Sequence, residues 1–538
     1  MLKWILVNKV VNYLNEQIVG NVYDKASILD AYSTDRSILK ITPRFVAVPE
    51  TTADVQELLK FSYELSRRNF SLPITVRGSG LDKTGADLGS GLIISTEKLN
   101  QVQEIDERSR LVRVQAGTTL GDLNQVLAIY GLMVPVQLDP RETIGGLIAN
   151  FPTDPVAKKY GSIFYFVDRV EVALANGDLI QTTSYTARGL ARMKKQTNFE
   201  GKIYRDLEKL LNEKFDLIDD LSEDDPKSTG YQMVARVQGK AHKTFDLLPV
   251  FFASQGTLGV ITEVILRCEP IPRPSAHVLA SFMKIDKALE FLKKVEGLGP
   301  VHMDIYDVRI FRAAAEHGKN LSIISKRMKS GYYVLISFDD FSLATRAKLK
   351  KCMEAAKPLA ASVLVENEEN SADFIELDSV VNAYLNDGVD GERVALMDNV
   401  RVPAENLPDF LSDLKKLEKK FERDLPIYGS YGTSSYSVRP KFQLDTLEDR
   451  QKVMNFLKTY SDLVVKHDGE VAGSGSEGRT KAIVTTPKLR REEKALYEAV
   501  KKIFDPQNIL NPEVKLGIDL KNTVRHLRTS NNPGVVTE

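Results

Sequence analysis

Residues 74–94 have the sequence ITVRGSGLDKTGADLGSGLII, in which five glycines separate two short apolar runs. Glycine lacks a Cβ atom and adopts positive φ at little cost, so this spacing predicts a loop whose backbone N–H groups can approach a diphosphate. Arg77, at the mouth of the loop, is expected to bind an anionic oxygen with its forked guanidinium. The loop matches neither common nucleotide motif, because Lys83 takes the place of the third glycine in G-x-G-x-x-G and no G-K-[ST] follows. Taken alone, it also fits a plain glycine-rich hairpin.

The composition indicates a globular protein of two or three domains. The chain has 538 residues, of which 43% are hydrophobic and 27% are charged. Lys+Arg and Asp+Glu both number 73, so no overall charge favours nucleic acid. Two cysteines, Cys268 and Cys352, are too few for a disulfide framework or a thiolate metal site and fit a reducing cytoplasm. The N-terminus lacks both the h-region of a signal peptide and a membrane-spanning run, so we expect a cytoplasmic protein and leave a peripheral membrane association open.

Two further segments repeat the glycine pattern. Residues 138–154, LDPRETIGGLIANFPTD, contain the pair Gly145–Gly146 followed by small side chains. Such a pair suits a backbone that runs beneath a flat ring, although a Gly–Gly pair also marks ordinary turns. Residues 251–272 contain Gly256 and Gly259 ahead of a β-branched run. A literal G-x-G-x-x-G occurs at 473–478, but no long helix follows it and too little chain remains for a nucleotide-binding domain.

The remaining patterns predict an α+β protein with several parts. A Thr-x-x-Asp capping box at Thr51–Asp54 predicts a helix after a short strand, and three prolines at 270, 272 and 274 predict a stiff boundary. The acidic run around Asp219 to Asp225 is expected to be a solvated loop, and the polar tail is expected to fray. The predicted parts are an N-terminal helical segment (1–37), a domain of two subdomains (38–96 and 97–272), an α+β domain (275–465), a C-terminal segment (466–516) and a tail (517–538).

Six motifs in this order resemble one family. They are VRGSG (76–80), AGTTLGDL (116–123), ETIGGLIAN (142–150), KYG (159–161), ASQGTLGVITE (253–263) and FDPQNILNP (504–512). The chain resembles the FAD-linked oxidoreductases of the vanillyl-alcohol-oxidase type, which have a PCMH-type FAD-binding domain, and in particular the D-lactate dehydrogenase and glycolate oxidase subunit branch. This resemblance implies a two-subdomain FAD-binding domain, a substrate cap with a ferredoxin-like sheet, and a C-terminal segment that returns to the flavin.

The resemblance also implies which residues bind FAD. Arg77 to Asp82 would wrap the diphosphate, a second group would line the ribityl and isoalloxazine portion, Gly161 would lie near the flavin, backbone atoms of a third group would meet the adenine side, and Asn511 would approach the ring. Relatives that bind the flavin covalently often have histidine where this chain has Leu81, so we expect non-covalent FAD. The predicted cofactor-binding residues are Arg77, Gly78, Ser79, Gly80, Leu81, Asp82, Thr143, Gly145, Gly146, Ala149, Asn150, Gly161, Gly259, Val260, Ile261 and Asn511.

The chain departs from the family at its metal-binding motifs. Where the hydroxy-acid branch has two histidines in a GHxGDGNLH-like strand, this chain has Ser430 and Ser437, and Ser474 and Gly475 replace the Glu-His pair of the SGEHGxGR-like loop. Serine and glycine cannot replace imidazole and carboxylate ligands, so we expect no catalytic metal. A base is still needed for the substrate hydroxyl, and a tyrosine beside an arginine is expected to ionise more easily than a free phenol. The candidate catalytic residues are Tyr431, Tyr436, Arg439, Glu477 and Arg479, each with a purely structural role as the alternative.

Two hypotheses of function follow. The first is an FAD-dependent dehydrogenase or oxidase that oxidises an alcohol or 2-hydroxy-acid-like small molecule by hydride transfer to flavin N5. Its electron acceptor would be a quinone, a carrier protein or oxygen, and the loss of ligand side chains would leave room for a bulkier alcohol. The second is a flavin-binding protein with a decayed catalytic site that acts as a redox sensor or scaffold. Nucleic acid is not expected as a partner, and the sequence leaves the oligomeric state open.

Overall fold

The computed structural model describes residues 2–223, 227–239, 243–272, 275–316, 318–340, 342–377, 380–381, 384 and 392–528. Helices and strands are both abundant in these ranges, and the predicted α+β class is confirmed. None of the helices in these ranges has the length and hydropathy needed to cross a membrane. Both cysteines are buried free thiols.

The N-terminal sheet has four strands in the spatial order Asn21–Tyr23, Phe45–Val48, Leu92–Ser95 and Ile74–Arg77. The last two strands, which flank the first glycine loop, are parallel neighbours. Parallel strands cannot be joined by a hairpin turn, so the loop between them crosses over and the hairpin interpretation is wrong. The helices of this part are Leu2–Gln17, Ala26–Ala31 and Thr52–Arg67.

The predicted capping box fixes the third of these helices. Thr51 Oγ1 accepts a hydrogen bond from Asp54 N at 3.1 Å, and Asp54 Oδ2 accepts one from Thr51 N at 3.3 Å. Asp54 also accepts from the backbone N–H groups of Val19 and Gly20 at 3.0 Å. The same carboxylate therefore caps one helix and holds the end of the first helix against it.

The second sheet has five antiparallel strands in the order Val102–Asp106, Leu111–Gln115, Val260–Arg267, Val167–Ala173 and Leu179–Gln181. Its helices cover a large apolar core. The prediction that the acidic run is a solvated loop is wrong for its described part, which belongs to the helix Phe215–Glu223. Leu217, Ile218 and Leu221 are buried on one face of this helix. Asp224 and Asp225 lie outside the described residues. The helices are Leu120–Ala128, Ile144–Asn150, Ala157–Tyr160, Ala187–Met193, Phe199–Glu213, Phe215–Glu223 and Leu248–Phe251, with 3-10 turns at Ile163–Tyr165 and Gln232–Arg236.

The third sheet forms the cap, with seven strands and antiparallel pairing between neighbours wherever a register is defined. In spatial order they are Ser362–Val365, Ala276–Phe282, Tyr332–Phe338, His302–Asp307, Ile427–Ser430, Ser435–Val438 and Val400–Arg401. The helices are Ile285–Glu296, Val308–Glu316, Ser342–Ala356, Ser371–Ile375, Leu407–Phe421 and Leu447–Lys466. Small two-stranded sheets join Tyr185–Thr186 to Thr244–Phe245, Glu269–Pro270 to Leu132–Met133, and Glu392–Arg393 to Lys441–Phe442.

The C-terminal segment returns to the first sheet. Ile74 N donates to Ile509 O and Asn511 N donates to Ile74 O, both at 2.7 Å, so this segment lies beside the strand that precedes the glycine loop. The described part of the tail does not fray: Leu527 is buried and forms a bridge with Leu39. The helices here are Ala482–Thr485, Arg491–Phe504 and Leu520–Arg525, with a 3-10 turn at Thr486–Lys488.

Candidate functional site

Three glycine-containing segments, 78–87, 142–150 and 254–261, surround one cavity, and we call them together the cradle. The empty volume of the cavity is about 870 Å³, open solvent at its mouth included. This is the size range of sites for small molecules and cofactors. The lining residues are Val76, Gly78, Ser79, Gly80, Leu81, Asp82, Ala86, Asp87, Thr96, Ala116, Glu142, Thr143, Gly145, Gly146, Ala149, Asn150, Ser254, Gln255, Gly256, Gly259, Val260 and Ile261.

The first segment needs its glycines because of close neighbours. A Cβ atom on Gly78 would overlap with the side chain of Thr143, so the first and second segments touch at this point. Gly80 has φ +72°, and a Cβ atom there would overlap with the guanidinium of Arg77. Arg77 therefore lies beneath the loop and is buried, which corrects the expectation that it stands at the mouth. Its guanidinium also lies over the ring of Tyr32, 5.4 Å from the centroid.

The second segment is a short helix that begins at the predicted threonine. Thr143 Oγ1 accepts a hydrogen bond from Gly146 N at 3.2 Å, which caps Ile144–Asn150. A Cβ atom on Gly145 would lie 2.8 Å from that of Ala116, so the helix can approach the neighbouring strand only with glycine at this position. The small residues therefore bring helix backbone to the cavity wall.

The third segment contains a residue that the sequence interpretation missed. Gln255 has φ +50°, donates to Asn150 Oδ1 at 3.0 Å and accepts from Gly478 N at 2.9 Å. Its side chain thus connects the second segment to the C-terminal loop. The signal in the sequence was the position of this glutamine inside the motif ASQGTLGVITE, directly before a glycine turn.

The side chain of Asn511 connects the first and third segments of the cradle. Its Nδ2 donates to Ala86 O at 2.6 Å and to Gln255 O at 2.8 Å, and its Oδ1 accepts from Thr75 Oγ1 at 3.0 Å. The side chain is 1% exposed and does not line the cavity. Its role in the described structure is to hold the first and third segments together.

The structure brings the predicted cofactor-binding residues together, with three exceptions. All of them line the cavity except Arg77, Gly161 and Asn511. Gly161 has φ +88° and faces the ring of Tyr165, and the two residues before it, Lys159 and Tyr160, both bind Asp339 of the cap. The KYG motif therefore joins the cap to the second sheet in this structure.

Three acidic side chains lie in the cavity wall. Burial raises the pKa of Asp82 to about 6 and that of Glu142 to about 7. The pKa of Asp87 is also raised, again by burial, although Arg77 opposes the shift. The ionisable side chains of the wall are therefore carboxyl groups whose charge burial disfavours, while the groups suited to a phosphate are backbone N–H groups of the loop.

A second electrostatic centre lies in the cap. The Asp398 carboxylate binds Arg439 through two guanidinium nitrogens, with Nε at 2.9 Å, and Lys83 Nζ lies 3.3 Å from it. Lys481 Nζ donates to Asp398 O at 2.6 Å and approaches Ser474 O at 3.5 Å. Two cationic side chains thus bind the Asp398 carboxylate and a third binds its backbone carbonyl, and burial lowers the pKa of Lys481 to about 8.

The predicted catalytic residues belong to segments 428–440 and 472–481, which we call the polar segments, and none of the five lines the cavity. Burial raises the pKa of Tyr431 and of Tyr436, so the expectation of an easily ionised tyrosine is wrong for both. Tyr436 is fully buried, and its hydroxyl has no hydrogen-bond partner among the described residues. Arg439 is held by Asp398, which leaves it less available for a substrate than the sequence suggested.

The two predicted catalytic residues of the C-terminal loop hold this loop in place. Glu477 forms a buried ion pair with Lys515 and also accepts from Gly230 N. Arg479 donates to Leu88 O at 3.0 Å, so it ties the loop to the end of the first cradle segment. His467, the histidine nearest to this loop in sequence, binds Asp413 at 3.1 Å. These contacts are structural.

The cradle fits a flavin nucleotide. Its walls are backbone and small side chains at the positions where a diphosphate and a flat ring must come close, and a Cβ atom at Gly78 or Gly145 would disturb the wall. The fold and the cavity together define a flavin-nucleotide-binding protein. Two family models match the chain: "FAD binding domain" at residues 43–183 and "FAD linked oxidases, C-terminal domain" at residues 271–514. The chain belongs to the FAD-linked oxidoreductases that combine these two domains, and the predicted cofactor, FAD, is confirmed.

Curated relatives agree with the predicted branch. D-2-hydroxyglutarate dehydrogenase of Escherichia coli is 26% identical over 94% of this chain, but the chain spans 52% of that relative's length. Glycolate oxidase subunit GlcD of Bacillus subtilis is 23% identical over 90% of this chain and 91% of its own length. D-lactate dehydrogenase of Archaeoglobus fulgidus is 25% identical over 90% of this chain and 95% of its own length. The chain thus spans about half the length of the first of these relatives.

Solved structures confirm the PCMH-type fold. The 4-ethylphenol oxidase from Gulosibacter chungangensis, in complex with isoeugenol, has a TM-score of 0.67 at 13% identity and covers 96% of this chain and 98% of its own. p-Cresol methylhydroxylase with substrate bound has a TM-score of 0.65 at 14% identity, covering 96% and 97%. At these identities the likeness concerns the fold alone.

Proposed function

We propose that this chain is an FAD-dependent oxidoreductase that oxidises the CH–OH group of an anionic alcohol, such as a 2-hydroxy acid, without a catalytic metal. The observation that carries the proposal is the single cavity formed by three separate glycine-containing segments. The relatives named for dehydrogenation or oxidation of hydroxy acids support the substrate class. The Ser430, Ser437 and Ser474 side chains at the expected ligand positions support the absence of a catalytic metal.

The proposal assigns each part of the cradle to a part of FAD. The backbone of residues 78–82 would bind the diphosphate, residues 143–150 would lie along the ribityl chain and the ring, and residues 259–261 would meet the adenine side. Leu81 offers no atom for a covalent link to the flavin, which supports non-covalent binding. When bound, FAD supplies the hydride acceptor.

The cap supplies the positive charge that an anionic substrate needs. Arg439 and Lys83 bind the carboxylate of Asp398, and Lys481 binds its backbone carbonyl, so three cationic side chains meet at this residue. A buried excess charge binds an anion more strongly than an exposed one. The pKa of Lys481, lowered to about 8 by burial, lies nearer to neutral pH than that of the tyrosines. We therefore assign the substrate hydroxyl proton to Lys481 in place of Tyr431 or Tyr436, although Lys481, like the two tyrosines, lies behind the cavity lining.

Two buried free thiols support a reducing compartment, and we place the protein in the cytoplasm. The electron acceptor that follows FAD would be a quinone, a carrier protein or oxygen. Rapid mixing of the reduced protein with each acceptor class separates these three, since the true acceptor reoxidises the flavin within a turnover time.

The first experiment is purification followed by flavin spectroscopy. We expect a yellow protein that releases its flavin on acid precipitation. Anaerobic addition of D-2-hydroxyglutarate, D-lactate or glycolate should bleach the flavin, with little bleaching by a neutral alcohol of similar size. At saturating FAD, a chelator should not change the bleaching rate of the bound flavin. A colourless protein that does not bind added FAD contradicts the proposal.

A flavin-binding protein without catalysis is the second candidate, and one observation favours it. Tyr436, Arg439, Glu477 and Arg479 are all buried, and the three charged ones are engaged within the protein. A protein that binds FAD reversibly but is not reduced by any hydroxy acid or alcohol would support this candidate. The variant Lys481→Met separates the two further, because an active enzyme should lose the pH dependence of flavin reduction near pH 8 in this variant.

A further inference from the structure

Three aspartates from two segments meet at the base of the cradle. Asp82 and Asp87 belong to the first glycine loop and line the cavity, and Asp35 comes from the segment after the second helix. One carboxylate oxygen of each residue lies within 4.8 Å of the other two. Two of the three residues are buried, with whole-residue exposures of 9% for Asp35 and 8% for Asp87.

In the described part of the chain, two carboxylate oxygens of the cluster receive no hydrogen bond from outside it. Asp35 Oδ2 and Asp87 Oδ1 are buried and accept no hydrogen bond from any of the described residues. Three other oxygens accept hydrogen bonds: Asp35 Oδ1 from Ser37 N, Asp82 Oδ2 from Thr84 N and Ala86 N, all at 2.8 Å, and Asp82 Oδ1 from Thr84 Oγ1 at 3.1 Å. These hydrogen bonds fix the carboxylates of Asp35 and Asp82 within the cluster.

The charges of this cluster are poorly compensated. Arg77 Nη1 lies 3.9 Å from Asp87 Oδ1, beyond hydrogen-bond distance. Arg479 and Lys481 attract Asp35 and Asp82 electrostatically but form their hydrogen bonds with other groups. The three buried carboxylates repel one another, and the diphosphate of FAD would add about two more negative charges. A protein that binds a diphosphate here needs further positive charge.

We propose that Asp35, Asp82 and Asp87 bind a divalent cation of the Mg²⁺, Mn²⁺ or Ca²⁺ class, and that this cation and the FAD diphosphate strengthen each other's binding. Carboxylate oxygens are the ligands such cations prefer, and oxygens up to 4.8 Å apart fit ligand distances of about 2.1 to 2.6 Å. The site takes no part in the oxidation and is separate from the serine positions of the cap. The coupling to FAD rests on the proposed function, whereas the cation site itself does not.

The test measures the two ligands separately. Protein freed of flavin and treated with a chelator is titrated with FAD, followed by flavin fluorescence, in the presence of 1 mM Mg²⁺, Mn²⁺ or Ca²⁺ or of a monovalent salt at equal ionic strength, a concentration chosen at roughly the level of weak carboxylate sites. We expect FAD to bind about tenfold more tightly with at least one divalent cation, within the usual range of coupling between two sites. Electron paramagnetic resonance of Mn²⁺ measures bound cation without any flavin.

Matched variants identify the ligands. Asp35→Asn and Asp87→Asn should each remove both the bound Mn²⁺ signal and the effect of the cation on FAD binding. Asp154→Asn removes a buried carboxylate that neither lines the cavity nor belongs to the three aspartates, so it should keep both. If the aspartate variants do not fold, Mn²⁺ binding by the unmodified protein, and its competition by Mg²⁺ and Ca²⁺, still tests the site.

Each outcome has one meaning. No bound Mn²⁺ and equal FAD affinity in every salt overturns the proposal. A cation effect that persists in Asp35→Asn and Asp87→Asn at the size seen in Asp154→Asn also overturns it, because the effect would then be general screening. Bound Mn²⁺ together with no FAD binding keeps the cation site and contradicts the proposed function.

Discussion

The cradle and the polar segments have similar compositions but different interiors. Both are rich in glycine and serine, and both lie where the parts of the chain meet. In the cradle, glycines such as Gly78 let backbone segments meet around an open cavity. In the polar segments, Glu477, Arg479 and Arg439 fill the space between the strands and loops and are paired with Lys515, Glu513 and Asp398, respectively. A glycine pattern therefore predicts close backbone approach, and the neighbouring side chains decide whether a ligand or the protein itself occupies the space.

The largest expected effect comes from the polar segments. Lys515→Met leaves the carboxylate of Glu477 buried without its counter-ion, so the free energy of unfolding should fall by about 3 to 5 kcal/mol. Urea unfolding followed by circular dichroism measures this free energy. Lys287→Met, in an exposed ion pair with Glu290, is the matched control and should change the free energy by less than about 0.5 kcal/mol. Equal losses in both variants would contradict the contrast between a filled interior and a surface.

The double variant Glu477→Gln with Lys515→Met sharpens this test. Removing both charges removes the uncompensated carboxylate, so the double variant should be more stable than Lys515→Met alone. A double variant that loses the sum of the two single losses would show that the two residues act independently.

The next effect belongs to the cradle. Gly78→Ala places a methyl group against Thr143, whose hydroxyl caps the helix of the second segment, so the two segments must separate. We expect FAD affinity to fall about a hundredfold, or about 2.7 kcal/mol, with a smaller loss in the stability of the flavin-free protein. Fluorescence titration with FAD measures the affinity. A variant that binds FAD normally would show that residues 78 and 143 do not form the cavity wall in solution.

The third prediction concerns the stability of the folded protein at acidic pH. Burial alone would raise the pKa of Asp398, but Arg439 and Lys83 hold the pKa at about 2, below its usual value of 3.8. Because the pKa is lowered in the folded state, its stabilising contribution, about 2 kcal/mol, is present above pH 4 and is lost as the pH falls from about 4 towards 2. Asp398→Asn should therefore be less stable than the natural chain at pH 7, and the difference in urea midpoint should shrink between pH 5 and pH 3. A difference that is constant over this range would contradict the ionic role.

The sequence predicted the local structure and the cradle better than it predicted the polar segments. The capping box at Thr51 and the helix after Thr143 depend on residues three positions apart, so their sequence signals are short-range. The prediction of the cradle needed only the conformation of the backbone, which the spacing of glycines indicates directly. The parallel pairing of Ile74–Arg77 with Leu92–Ser95 has no such signal, because strand direction is set by how the whole sheet assembles.

Long-range ion pairs explain why the catalytic candidates were harder to predict. Arg439 pairs with Asp398, 41 positions away, and Glu477 pairs with Lys515, 38 positions away. Each could have paired with many other charged residues in a chain that has 73 acidic and 73 basic side chains. The sequence therefore gave no indication of whether these charges face a substrate or one another.

The smallest expected effect tests whether glycine matters only where the structure crowds it. Gly297 ends the helix Ile285–Glu296 in the cap with φ −65°, and nothing lies within 4 Å of the place where a Cβ atom would stand. Gly297→Ala requires neither a strained backbone nor a displaced neighbour, so stability should change by less than about 0.5 kcal/mol and FAD affinity should not change. The same two measurements as for Gly78→Ala apply. If Gly297→Ala weakened FAD binding as strongly as Gly78→Ala does, the loss would reflect glycine replacement in general, and the cradle would no longer differ from the rest of the molecule.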